Sequence, residues 1–151
     1  MKHEYILNYE TYDGLEKLDP ADQELVSAAR RAFQKSYSPY SGYRVGASAR
    51  LESGRIITAT NQESSVFPAG LCAERILLFG HMSSEPDDRI ETMAIISSDP
   101  ERECRPCGEC RQVMSDVEAR QGRPFRIIMC SEGSATVVES PSVLLPFPFE
   151  M

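Results

Sequence analysis

Two hydrophobic periods divide the chain, and each change of period marks an element. Leu25, Val26, Ala29, Ala32 and Phe33 recur at helical spacing, while Arg30, Arg31 and Lys35 mostly take the opposite face. Asp19-Pro20 supplies an N-cap residue followed by proline at the first helical position, so a helix is predicted from there to near Ser36. Tyr37-Ser38-Pro39-Tyr40-Ser41-Gly42 then reads as a structured loop. Val45, Ala47, Ala49 and Leu51 alternate with smaller or more polar neighbours, Ser53-Gly54 turns the chain, and residues 55–60 run back as the second arm of a hairpin.

Beyond Pro68 and Gly70 the helical period returns, with a start close to Cys72 and Ile76, Leu77 and Phe79 packing inward. Met93-Ala94-Ile95-Ile96 is almost wholly apolar, as expected of a strand covered on both faces. A further helix starts around Cys107, buries Val113, Met114 and Val117, and stops at Gly122. Residues 125–129 make another strand. The order helix, two strands, helix, strand, helix, strand predicts a three-layer α/β/α sandwich with a mixed sheet of roughly five strands. Residues 19–151 read as one domain and residues 1–18 as an N-terminal extension whose Tyr and Leu side chains could dock on the body.

Composition narrows the function. The chain has 151 residues, 41% of them hydrophobic, which suits one domain with an ordinary core. A formal net charge of −7 argues against a nucleic-acid partner, since binding to a phosphate backbone leans on clustered Lys and Arg. There is no apolar run long enough for a bilayer and no signal-peptide block at the start, so no membrane partner and a cytoplasmic location are expected. Five cysteines, three of them crowded at Cys104, Cys107 and Cys110, suit a reducing compartment and metal binding better than a disulfide framework.

Cys72-Ala73-Glu74 and Pro106-Cys107-Gly108-Glu109-Cys110 carry the chemistry. Three thiolates, Cys72, Cys107 and Cys110, can hold one Zn2+ per chain and leave its fourth position for water. Glu74, two residues past a ligand, lies close enough to move that water's proton without binding the metal, which is the arrangement hydrolytic deamination needs. Two helices following adjacent strands would bring these cysteines together at their N-termini, where the positive helix ends favour thiolates. Arg75 is a candidate donor to a ligating sulfur.

Two other readings compete. Cys104 could complete a closed Cys₄ zinc site in a non-catalytic module, or pair with Cys107 as a redox dithiol. Otherwise Cys104 is a bystander. His3 and His81 stand apart from these motifs, and Cys130, Met114 and Met129 read as core.

The segments Cys72-Ala73-Glu74-Arg75 and Pro106-Cys107-Gly108-Glu109-Cys110-Arg111-Gln112 resemble the small zinc-dependent cytidine deaminases that act on free nucleosides. That resemblance extends over nearly everything after Asp19 and implies deamination of cytidine and/or deoxycytidine to uridine or deoxyuridine plus ammonia. A different amino-pyrimidine nucleoside is the alternative substrate. Asn61 and Glu63 match a segment that implies hydrogen bonds to sugar hydroxyls, and Tyr43 a position where an aromatic, usually phenylalanine, lies against the pyrimidine. The Ala73 backbone would hold the ring carbonyl. Ser65 and Phe67 stand in the same substrate segment, where the family commonly has alanine and often tyrosine. Leu144-Leu145-Pro146 resembles the C-terminal segment whose final phenylalanine, here Phe149 with Phe147 as fallback, covers a neighbouring subunit's site. A homotetramer with shared active sites, binding a small pyrimidine nucleoside, is therefore implied.

Overall fold

Odd and even residues of the central strands separate onto two cores. Met93 and Ile95, with Ile127 and Met129, enter one buried cluster; Ala94 and Ile96, with Ile128 and Cys130, enter the other. Such a sheet must be covered on both faces, and in this computed structural model, which describes residues 1–151, it is. Helix α1 (Pro20–Phe33) lies on one face; α2 (Ala73–Ser84) and α3 (Gly108–Gln121) lie on the other. The predicted α/β/α sandwich is thus observed.

The sheet has six strands, in the order β1 (Glu10–Tyr12), β6 (Ala135–Val138), β5 (Arg126–Cys130), β4 (Ile90–Ser97), β2 (Val45–Leu51) and β3 (Ile56–Thr60). Only β4 and β5 pair in parallel, and every other pair is antiparallel, so the sheet is mixed. Roughly five strands were expected. The additional strands are short edge or near-edge pieces; β1 in particular is exposed and polar and shows no alternation. Residues 10–12 pair with β6, and Leu18 is buried in the core beneath α1, so part of the N-terminal stretch packs on the body.

Strand β2 shows how closely the layers approach. Val45, Ala47, Ala49 and Leu51 face α2 and α3, while Gly46 and Ser48 face α1. Ser48 Oγ donates to the Leu25 carbonyl at 2.7 Å, and a Cβ on Gly46 would fall 1.9 Å from the Ala29 carbonyl oxygen. No side chain fits there without moving α1. Gly46→Ala should therefore cost about 3 kcal/mol, the upper end for overpacking, read as a lowered midpoint in urea with unchanged slope.

Other boundaries shift modestly. Helix α1 ends at Phe33 rather than near Ser36, and β4 begins three residues before Met93. Leu77 and Leu78 form the buried stripe of α2, but Phe79 points outward, the opposite of the expectation, because position 79 falls on the solvent side once 77 and 78 face the core. His81 is buried, its Nε2 2.8 Å from the Asp88 carbonyl. Helix α3 stops at Gly122 as predicted: φ is 66°, and the amides of Gly122 and Arg123 close on the Ala119 and Glu118 carbonyls. No helix is long and apolar enough to cross a membrane.

Candidate metal centre and adjoining cleft

Strands β3 and β4 are not neighbours, since β2 lies between them; both are antiparallel to β2 and so run in one direction. Helices α2 and α3 follow these two strands onto the same face of the sheet, which brings their N-termini together. Cys72 and Cys107 are the two N-cap residues, both in extended conformation with ψ near 154° and 170°, and neither side chain caps its own helix. Cys110 lies in the first turn of α3. The first-turn amides have no intrahelical acceptor and add positive potential where the three sulfurs meet.

The Sγ atoms of Cys72, Cys107 and Cys110 all lie within 4.8 Å of one another, with Cys107 and Cys110 3.5 Å apart. Thiolates about 2.3 Å from one tetrahedral metal stand roughly 3.8 Å apart, so this donor set fits a single zinc. Cys104 lies outside that group. Its thiol is buried and pushed up to about 12, chiefly by desolvation, and it is the position of this sulfur, away from the other three, that leaves it out of the donor set.

The group is electrostatically asymmetric even without metal. The hydrogen bond from the Cys110 thiol, with Arg75 beside it, brings Cys72 down to about 5, and the same hydrogen bond raises Cys110. Arg75 Nη2 is 3.7 Å from Cys72 Sγ and 3.0 Å from Glu109 Oε2, so this guanidinium links α2 to α3 across the sulfurs. Glu74, only 4% exposed, is pushed up to about 7 by burial, from an ordinary 4.5.

That shift has a stability consequence for the metal-free protein. A carboxyl raised on folding stabilises below its unfolded pKa and loses that contribution as pH rises through the folded value. Metal-free Glu74→Gln should therefore be more stable than metal-free wild type above pH 7, by on the order of 2–3 kcal/mol, with the gap closing toward pH 4.5. Urea titrations across that range check this.

Beside Cys72 and Arg75 opens a cleft of about 520 Å³, walled by Tyr40, Ser41, Tyr43, Asn61, Gln62, Glu63, Ser64, Phe67, Gly70 and Leu71. Reciprocal 3.0 Å backbone bonds between Gln62 and Leu71 hold the 61–63 segment next to Cys72. Asn61 Oδ1 accepts from Ser36 Oγ at 2.6 Å and from the Val45 amide at 2.9 Å, while its Nδ2 donates to the Tyr43 carbonyl at 2.8 Å. One Asn61 N–H remains. The Glu63 carboxylate accepts from the Ser41 hydroxyl and from the Tyr40 and Ser41 amides, both at 3.2 Å. Phe67 is 72% exposed and meets Tyr40 edge to face at 5.3 Å.

Of the residues singled out from sequence, Tyr43, Asn61, Glu63, Phe67, Cys72 and Arg75 line this cleft. Ala73 is fully buried at the first position of α2. Ser64, rather than Ser65, belongs to the wall. Phe149 lies elsewhere in its own chain, on the outer side of α3, where its amide donates to Gln112 Oε1 at 2.9 Å. Sequence reasoning missed the wall positions Gln62, Gly70 and Leu71, whose role depends on the bridge between residues 62 and 71.

Residues 19–122 match the family model of the cytidine and deoxycytidylate deaminase zinc-binding region. The chain belongs to this deaminase family. A cytidine deaminase of Halalkalibacterium halodurans is 36% identical over 96 residues, 63% of this chain and 70% of that one. A blasticidin-S deaminase of Bacillus cereus is 32% identical over 101 residues, covering 63% and 71% of the two chains. The crystal structure of cytidine deaminase from Burkholderia pseudomallei superposes with a TM-score of 0.74 at 29% identity, covering 83% of this chain and 97% of that one. The zinc-binding region of the deaminase family thus takes in Cys72, Cys107 and Cys110, the one group here suited to a metal ion.

Proposed function

We propose that the protein hydrolyses the exocyclic amine of cytosine nucleosides, converting cytidine and/or deoxycytidine plus water to uridine or deoxyuridine plus ammonia. The observation that carries this reading is a buried carboxyl, Glu74, set two residues from Cys72, the sulfur of the three-thiol group that lines a nucleoside-sized cleft; Glu74, Cys107 and Cys110 lie behind that wall. Zinc held by Cys72, Cys107 and Cys110 would supply the Lewis acidity that makes water a nucleophile near neutral pH.

The chain's own groups do the rest. Glu74 accepts the proton of the attacking water and delivers it to N3 as the C4–O bond forms, then takes the proton of the new C4 hydroxyl and passes it to the departing amine as the C4–N bond breaks and the C4 carbonyl forms. Asn61, with one free N–H, and Glu63, with lone pairs to spare, receive the sugar hydroxyls at the far end of the cleft. The Tyr43 ring lies along the base, and the unpaired Ala73 amide at the start of α2 holds the ring carbonyl. Arg75 offsets part of the thiolate charge at Cys72.

Association into a homotetramer with shared sites accounts for the apolar rim. Tyr40, Val66 and Phe67 beside the cleft, and Phe79, Phe147 and Phe149 beyond it, are all at least 48% exposed. Phe149, outside the cleft of its own chain, would cover a neighbour's in such an assembly.

The similarity to a blasticidin-S deaminase favours a second reading, a modified cytosine nucleoside as preferred substrate. A panel of cytidine, deoxycytidine, free cytosine and blasticidin S, followed by absorbance and ammonia release, separates the two. Nucleosides should be consumed and free cytosine left at least about a hundredfold slower, since Asn61 and Glu63 would lose their partners. Equal turnover of free cytosine would contradict the sugar contacts. Preference for blasticidin S would establish the second reading.

A further inference from the structure

We infer that Cys104 is a positioning residue for the aromatic wall of the cleft, its buried thiol receiving the Tyr43 hydroxyl and fixing the ring's orientation. This rests on the deaminase reading for its kinetic consequence, though not for the contact itself. Tyr43 Oη lies 3.9 Å from Cys104 Sγ, hydrogen-bond range for sulfur, between residues 61 apart in sequence. Cys104 is 4% exposed, and it is neither one of the clustered metal thiols nor a partner in any disulfide.

Both ends of the contact are held. The Cys104 amide donates to the Cys130 carbonyl at 2.8 Å, and the adjacent Glu103 accepts from the Ser134 and Thr136 hydroxyls at 2.9 and 2.7 Å, so the acceptor is fastened to β5 and β6. At the other end, the Tyr43 amide donates to Ser41 Oγ at 3.0 Å and its carbonyl accepts from Asn61 Nδ2 at 2.8 Å. With its backbone fixed and its phenol held against Cys104, the 42%-exposed ring is biased toward one orientation. Ordering cost is met on folding rather than on nucleoside binding. The same contact ties the wall to the short segment that leads from Cys104 to Cys107, so ring and metal ligand hold a common register. A phenylalanine at 43 would pack there without this tether.

Four proteins test the inference: wild type, Cys104→Ala, Tyr43→Phe and the double variant. One neutral hydrogen bond to sulfur sets the scale, so KM for cytidine should rise about three- to fivefold in Cys104→Ala with kcat within about twofold. Tyr43→Phe, which removes the phenol altogether, should give at least that rise, and the double variant no more than Tyr43→Phe alone. A Cys104→Ala effect that persists undiminished in the Tyr43→Phe background overturns the inference.

A second readout needs no turnover. With ¹³C at the ζ carbon of the six tyrosines, the resonance lost in Tyr43→Phe identifies Tyr43. It should move in Cys104→Ala; an unmoved resonance overturns the contact. If zinc-loaded wild type deaminates no nucleoside, the deaminase reading fails, while this resonance and the cytidine Kd across the same proteins still decide the inference.

Discussion

Replacing Glu74 by glutamine is expected to lower turnover of cytidine at least about a hundredfold, the lower range for a positioned acid–base group, while zinc content and nucleoside Kd stay near wild type. The carboxylate is 4% exposed on the first turn of α2, and burial, with the Cys72 thiolate nearby, pushes it up to about 7 in the metal-free protein. A buried carboxyl whose pKa is raised toward neutrality can accept one proton and donate another, which the reaction requires. Glutamine preserves shape and hydrogen bonding but cannot exchange the proton. Binding should survive, because Asn61, Glu63 and Tyr43 are supplied by other elements. A mutant that lost zinc instead would show that Glu74 serves the metal site as a ligand or a prop.

The second large effect is at Cys110. Of the three sulfurs it is the one fully buried, and its position in the first turn of α3 fixes it against Cys107 at 3.5 Å. Cys110→Ser should reduce bound zinc from about one per chain to well below 0.1 after dialysis against a weak chelator, because two sulfurs remain where a stable site takes three or more protein ligands. Zinc at a thousandfold over its Kd contributes about 4 kcal/mol to stability by mass action. The wild-type melting midpoint should thus rise on adding zinc and the variant's should not. Cys104→Ser should retain zinc, and its loss there would revive the closed four-cysteine site.

Much of this was legible along the chain, for identifiable reasons. The metal group depends on short spacings, 72 to 74 and 107 to 110, that place side chains on single helical turns, and a period of 3.6 fixes such neighbours locally. The α/β/α layering followed from the order of helices and strands, with the apolar run of β4 marking a strand covered on both faces. Strands β1 and β6, three and four residues long, depend on pairing partners far away, and pairing leaves no periodic trace. Phe79 was misplaced because an exposed aromatic on an amphipathic helix reads as core unless a partner surface is known. Cys104 read as a bystander because its partner Tyr43 is brought to it only by the sheet. The dual use of Asn61, which holds the 36–45 loop as well as facing the cleft, was likewise invisible until its three bonds were seen.

The central claim, one zinc held by three thiols serving a Glu74-driven deamination, is tested most directly by returning zinc stepwise to chelator-stripped protein while following cytidine loss by absorbance and ammonia by a coupled assay. Turnover should rise in proportion to zinc, saturate at one equivalent per chain, and release one ammonia per cytidine consumed. Full turnover in the stripped protein, or one zinc bound with no nucleoside deaminated, would contradict it.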